Sequence, residues 1–181
     1  MSDAGAMEVV KFWIEAGPEK WWIKNADFDA EIENRFGAIH RQACKGELDH
    51  WAETAQGAMA LILILDQFSR HLHRNSPKAY DQDSRGAVLA RALSDSGQDQ
   101  EIPHEIRYFI YMPLMHSEAL EDQEHCIEMM RRYGEERPLN SAIQHRDIIA
   151  QFGRFPHRNK VLGRETTAEE QAFLDAGGFA G

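Results

Sequence analysis

The run Ala58-Met59-Ala60-Leu61-Ile62-Leu63-Ile64-Leu65 constrains this chain more than any other stretch, because it is apolar on every side and then turns abruptly polar. A helix that is apolar all round is stable only when neighbouring elements cover it completely. The run is also far shorter than the roughly 20 apolar residues that span a bilayer. It therefore predicts a central helix, about Gly57 to His71, with a charged C-terminal end.

The rest of the chain supplies cover for that helix. Apolar residues recur at helical spacing almost everywhere, and no stretch alternates long enough for a strand. Val9, Val10, Trp13 and Ile14 mark one face of a first helix that Gly17-Pro18 stops. Ile32, Phe36, Ile39 and Ala43 form the buried stripe of a second, opened by Asp27 or Asp29. Ser76-Pro77 predicts a fourth helix, as an N-cap followed by proline at the first helical position. Pro103 starts a fifth, in which Pro113 predicts a kink or break. A sixth ends at Gly134, a seventh follows Pro138 or Asn140, and Thr167-Ala168-Glu169-Glu170 is a capping box for the last. The expected fold is all-α, with about eight helices in antiparallel hairpins joined by short loops.

A chain of 181 residues predicts a single domain. Its net charge of −10 argues against broad adhesion to nucleic acid or anionic membranes. Cys44 and Cys126 are far apart and lack C-x-x-C spacing, and the opening Met1-Ser2-Asp3-Ala4 lacks an export pattern. A reducing, cytoplasmic setting is the expectation.

Three polar clusters carry the candidate chemistry. In the first, Asp66, Arg70 and His73 lie at i, i+4 and i+7, which allows an Asp66–Arg70 ion pair, with Arg74 beside them. In the second, Arg107 and Tyr111 are four apart, and His116 and Glu118 follow Pro113. The third runs from Gln151 to Arg164 and holds Arg154, Arg158, Asn159, Lys160 and Arg164 with no acid before Glu165. Arginine binds carboxylate or phosphate through two parallel hydrogen bonds, so this cluster suits an anion. The alternative is a structural role, with the arginines paired to acids such as Asp66, Asp81, Asp83 or Glu118. No nucleotide-binding, nucleophile-elbow or zinc-ligand pattern is present, so neither metal nor cofactor is expected. His73, His116, His145 and His157 remain general acid or base candidates.

These clusters resemble a bacterial domain-of-unknown-function family, the one numbered nine-two-four. The resemblance covers nearly the whole chain. It rests on Trp51, Asp66-Gln67-Phe68 with Arg70 and Arg74, Tyr111-Met112-Pro113 with His116-Ser117-Glu118, His145, Phe152-Gly153-Arg154-Phe155-Pro156 with Arg158-Asn159, and Leu162-Gly163-Arg164. Ser69 and His71 depart from the family pattern, which has proline and asparagine there. The resemblance implies an all-helical fold similar to tetratricopeptide-repeat-like superhelices, and supplies no activity. In such a stack the three clusters would fall at the same end of successive hairpins and meet. The expected function is then a pocket for a small anionic ligand, held by Arg70, Arg154 and Arg158 and oriented by Tyr111 and Asn159. His116 and Glu118 are its acid or base candidates, and Asp66, Arg74, His145 and Arg164 complete the candidate site. The alternative is a protein or peptide interaction module in which the clusters form an ion-pair framework.

Overall fold

The computed structural model describes residues 4–179, and among these the regular structure is helical throughout. The central element begins at α3 (Ala55–Ile62), widens into a π-helical segment over Leu63–Phe68 and continues as α4 (Ser69–Leu72). From Ala58 through Leu65 every side chain is buried, as the all-round apolar run requires. Gly57 lets the rod start where it does. A β-carbon there would lie 2.0 Å from the Trp51 carbonyl oxygen, so no larger residue could meet the 3₁₀ turn Asp49–Glu53.

Around this rod pack α1 (Ala4–Trp21), α2 (Ala26–Cys44), α5 (Asp83–Asp95) and α6 (His104–His116). The order then becomes sequential: α5 packs on α6, α6 on α7 (Leu120–Tyr133), and α7 on α8 (Glu136–Phe152). The short α9 (Ala168–Asp175) closes a smaller apolar cluster with Ile148, Ile149, Phe152, Phe155 and Phe173. Trp13 is fully buried against Phe28, Phe68 and Phe109, whereas Trp22 remains exposed at the surface.

Local chemistry sets most of the boundaries. Gly17 adopts φ 69° and bends α1 before Pro18, which has no amide to donate. The Thr167–Glu170 capping box forms with both reciprocal hydrogen bonds. Four expectations are corrected. Asn25 caps α2 in place of Asp27 or Asp29, and α8 starts at Glu136, ahead of Pro138 and Asn140. Ser76 caps only a 3₁₀ turn, Pro77–Ala79, and α5 begins later at Asp83. Pro113 does not break α6, which runs on to His116. Pro113 lies within the last turn, where few hydrogen bonds follow, and its ring packs against Gly86 of α5.

Candidate functional site

The C-terminal ends of the central rod and of α6 meet beside the turn that follows α8. The point of contact is Asp66, whose carboxylate is wholly buried. Its Oδ1 accepts from Nδ1 of His116 at 2.6 Å and forms an ion pair with Nη1 of Arg70 at 2.9 Å, and its Oδ2 accepts from the Gln67 amide. The same Arg70 nitrogen donates to the Asp66 carbonyl oxygen at 3.0 Å. Arg70 also donates to both oxygens of Asp83, at 3.0 and 3.2 Å. The same Asp83 accepts from Nη1 of Arg158 at 3.2 Å, so one carboxylate of α5 ties together cations from the first and third clusters. The Arg158 guanidinium lies between the Phe155 and Tyr80 rings, 4.5 and 4.7 Å from their centroids.

The π-helical segment helps explain the convergence. An α-helix offers one side chain per 100° of turn, and a π turn shifts the register of the residues after it. Asp66 and Gln67 fall inside this wider turn and Arg70 just beyond it. His73 ends up elsewhere, with its ring 5.5 Å from that of His40.

These groups border an open cleft of about 920 Å³. Its wall includes Lys24, Arg70, Arg74, Arg158, Lys160, His71, His116, His145 and His157, with Trp21, Trp22 and Tyr80 as aromatic surface. No carboxylate is part of that wall among the described residues. The acids stand behind it: Asp66 and Asp83 under Arg70 and Arg158, and Asp29 under Arg74, whose Nε donates to it at 2.6 Å.

The charge states follow from burial and neighbours. Burial alone would raise the Asp66 carboxyl, but Arg70, His116 and Gln67 reverse this and hold it at about 2, so it is ionised at neutral pH. Burial pushes His116 below its usual value, and the Arg70 charge adds to this against the pull of Asp66. The neutral imidazole then keeps its proton on Nδ1, where a carboxylate can only accept, and leaves a lone pair on Nε2. His157 is driven down to about 4 by burial, with Arg158 and His145 adding to the effect. Burial also lowers Arg158 below its usual value, and Asp83 only partly offsets this. Its Nε is buried and has no hydrogen-bond partner among the described residues.

Of the residues singled out in the sequence, the structure brings Arg70, Arg74, His116, His145, His157, Arg158 and Lys160 to the cleft wall, with Asp66 directly beneath. It places the others elsewhere. The Tyr111 hydroxyl is buried and donates to Asp99 at 2.6 Å. Glu118 accepts two bonds from Arg164, at 2.7 and 3.0 Å, and one from the Phe155 amide. Arg154 forms a two-point pair with Glu170, which also accepts from Asn159. His116 is therefore partnered by Asp66, fifty positions away, and not by the nearby Glu118. Lys24, Trp22 and Tyr80 reach the wall from outside the three clusters singled out in the sequence, so only tertiary packing reveals them.

An all-helical single chain with a basic, histidine-lined cleft defines the structural class. Residues 9–178 match the family described as bacterial proteins of unknown function, DUF924, and the chain belongs to that family. A solved structure of a protein of unknown function from Agrobacterium tumefaciens, ATU0120, has the same fold, with a TM-score of 0.91. It is 39% identical in sequence, and the alignment covers 97% of this chain and 99% of that one. A comparison with curated proteins returned no match. No helix among the described residues is long and apolar enough to cross a membrane.

Proposed function

We propose that this chain binds a small anionic ligand in the cleft between the central rod, α6 and the turn after α8. The observation that carries this reading is the sign of the wall. Lys24, Arg70, Arg74, Arg158 and Lys160 line it without a carboxylate, in a chain whose net charge is −10. An anion there would take up donor capacity that the protein leaves unused, such as Nη2 of Arg158, which makes no hydrogen bond among the described residues. The volume suits a small molecule, and the exposed Trp22 ring offers flat apolar surface next to the cations. Two free cysteines are consistent with a reducing compartment.

A thermal-shift screen of the purified chain against phosphates, nucleotides and carboxylates tests the reading, because a ligand that binds only the native state must stabilise it by mass action. The expected result is a concentration-dependent rise in Tm that disappears in Arg158→Ala. Stabilisation that survives in Arg158→Ala and Arg70→Ala would place the anion elsewhere.

A second reading, a protein-interaction module, draws on a shallow groove along α1 lined by Met7, Val10 and Ile14. Met7 and Ile14 are 58% and 38% exposed there, and adjoining exposed apolar side chains mark interaction surfaces where single ones do not.

A further inference from the structure

The inference concerns which anion the cleft would select, and it rests on the anion-binding reading above. The arginines and lysines of the wall can only donate hydrogen bonds. A fully deprotonated oxyanion would be matched by such a wall. The wall, however, also contains a fixed acceptor. Nδ1 of His116 is engaged by the wholly buried Asp66 at 2.6 Å, and Asp66 is itself locked by Arg70 and Gln67. A carboxylate accepts and cannot donate, so the proton between the two sits on Nδ1. Nε2 then carries a lone pair, and it has no partner among the described residues. His145 repeats the arrangement, with its Nδ1–H donating to the Ser141 carbonyl at 2.7 Å and Nε2 left as an acceptor. The charged and titratable groups around His116 are Asp66, Arg70, Asp83 and, across the cleft, His157.

We propose that the cleft selects an oxyanion carrying its own hydroxyl, a protonated phosphoryl group, either free or as a monoester, whose P–OH donates to Nε2 of His116 while its other oxygens accept from the arginines. Asp66 is the positioning residue, because it fixes which imidazole nitrogen faces the ligand. An acceptor that the ligand covers and must pair makes this discriminating. An anion without a hydroxyl sets its oxygen against the Nε2 lone pair and leaves that acceptor unsatisfied.

Phosphate and sulfate isolate this one feature. At pH 7 every phosphate species present carries at least one P–OH, and sulfate carries none. Calorimetric titration of the full chain at matched ionic strength is expected to give phosphate binding at least about tenfold tighter than sulfate. In His116→Ala the two affinities should converge, through a loss for phosphate alone. Phenyl phosphate separates the two sources of the phosphoryl group where it keeps its P–OH, at about pH 5, below its second pKa of about 6: there, tighter binding than phosphate assigns the monoester, and weaker binding assigns the free anion. In the unliganded chain, ¹⁵N NMR should show His116 protonated on Nδ1 and bare on Nε2. In Asp66→Asn the side-chain amide can donate to Nδ1, so the proton should move to Nε2 and the preference should shift towards sulfate. If that variant fails to fold, the native-chain NMR and His116→Ala still decide. Equal affinities for phosphate and sulfate, or a proton on Nε2, would overturn the selection while leaving the anion site standing. No binding of either anion would remove both.

Discussion

Arg154 and Arg158 lie four residues apart in the sequence and do opposite things in the structure. Arg154 donates through Nε and Nη2 to both oxygens of Glu170, and Nη2 also reaches the Glu165 carbonyl. Among the described residues the Arg158 guanidinium makes one hydrogen bond, to an Asp83 that Arg70 also uses, and its Nε is buried without a partner. The same contrast separates their neighbourhoods. Around Arg154 and Arg164, each guanidinium has its own carboxylate, and the network ties the post-α8 turn to α9 and to Glu118 after α6. Around Arg70 and Arg158, two guanidinium groups share Asp83 at the edge of an open cleft. Arg158 and Arg164 both have a buried Nε without a partner among the described residues. What tells a framework from a binding site is therefore whether each guanidinium has a carboxylate of its own, and density of arginine alone does not reveal it.

The largest expected effect breaks the framework side of this comparison. Glu118→Ala removes the acceptor for two Arg164 donors and for the Phe155 amide, leaving a partly buried cation unpaired. Loss of one member of such a pair should destabilise the fold by about 3 kcal/mol, read from the shift in urea midpoint. Phosphate affinity should change little. Arg158→Ala is the mirror case. Asp83 keeps both of its bonds from Arg70, and a buried cation with an unpaired Nε is removed, so stability should stay within about 1 kcal/mol of the parent. Anion binding should fall at least about tenfold. Equal destabilisation by both variants would abolish the distinction and make the cleft arginines framework as well.

A smaller effect separates the buried histidines from the paired carboxylates by pH. His157 on the cleft wall and His40 beneath α4 titrate at about 4 in the folded chain, against about 6.5 for a free histidine. Between those values the unfolded chain holds more protons, so stability should decline as pH falls from about 6.5 towards 4. Asp66 and Glu170 titrate at about 2 when folded, so the stability they contribute is lost lower, between about 4 and 2. Urea midpoints across pH should show both windows, and His157→Asn should flatten the upper one only. A single decline beginning below pH 4 would contradict the neutral state of the buried histidines on which acceptor selection depends.

The two regions also differ in how far they could be read from the sequence. Helices, their order and the buried rod follow from short-range patterns: the apolar run to Leu65, Gly17-Pro18 and the Thr167 capping box each act within a few residues. The π turn at Leu63–Phe68 left no such mark, because a segment apolar on all sides has no period from which a register change shows. The clusters themselves were visible, as was Asp83 as one possible acid partner. Which acid each cation takes was not, because Asp66–His116 and Arg158–Asp83 span 50 and 75 positions. Trp22 and Lys24 reach the cleft from the loop after α1, where nothing local distinguishes them from ordinary surface.

The smallest effect tests whether the cleft acts as a field as well as a set of contacts. Lys160 is exposed at the rim, forms no ion pair among the described residues, and lies two positions beyond the buried Arg158. A flexible ammonium there gains little by fixing one geometry, but it adds to the potential that draws an anion inward. Lys160→Gln should therefore leave the urea midpoint unchanged and weaken phosphate binding only about twofold at low salt, mainly through a slower association rate. By about 0.5 M salt the difference should vanish, since the Debye length is then only a few ångströms, whereas the loss in Arg158→Ala should persist because that contact is buried. If the two substitutions responded to salt in the same way, Arg158 would also be acting at a distance, and the contrast drawn from its shared carboxylate would lose its basis.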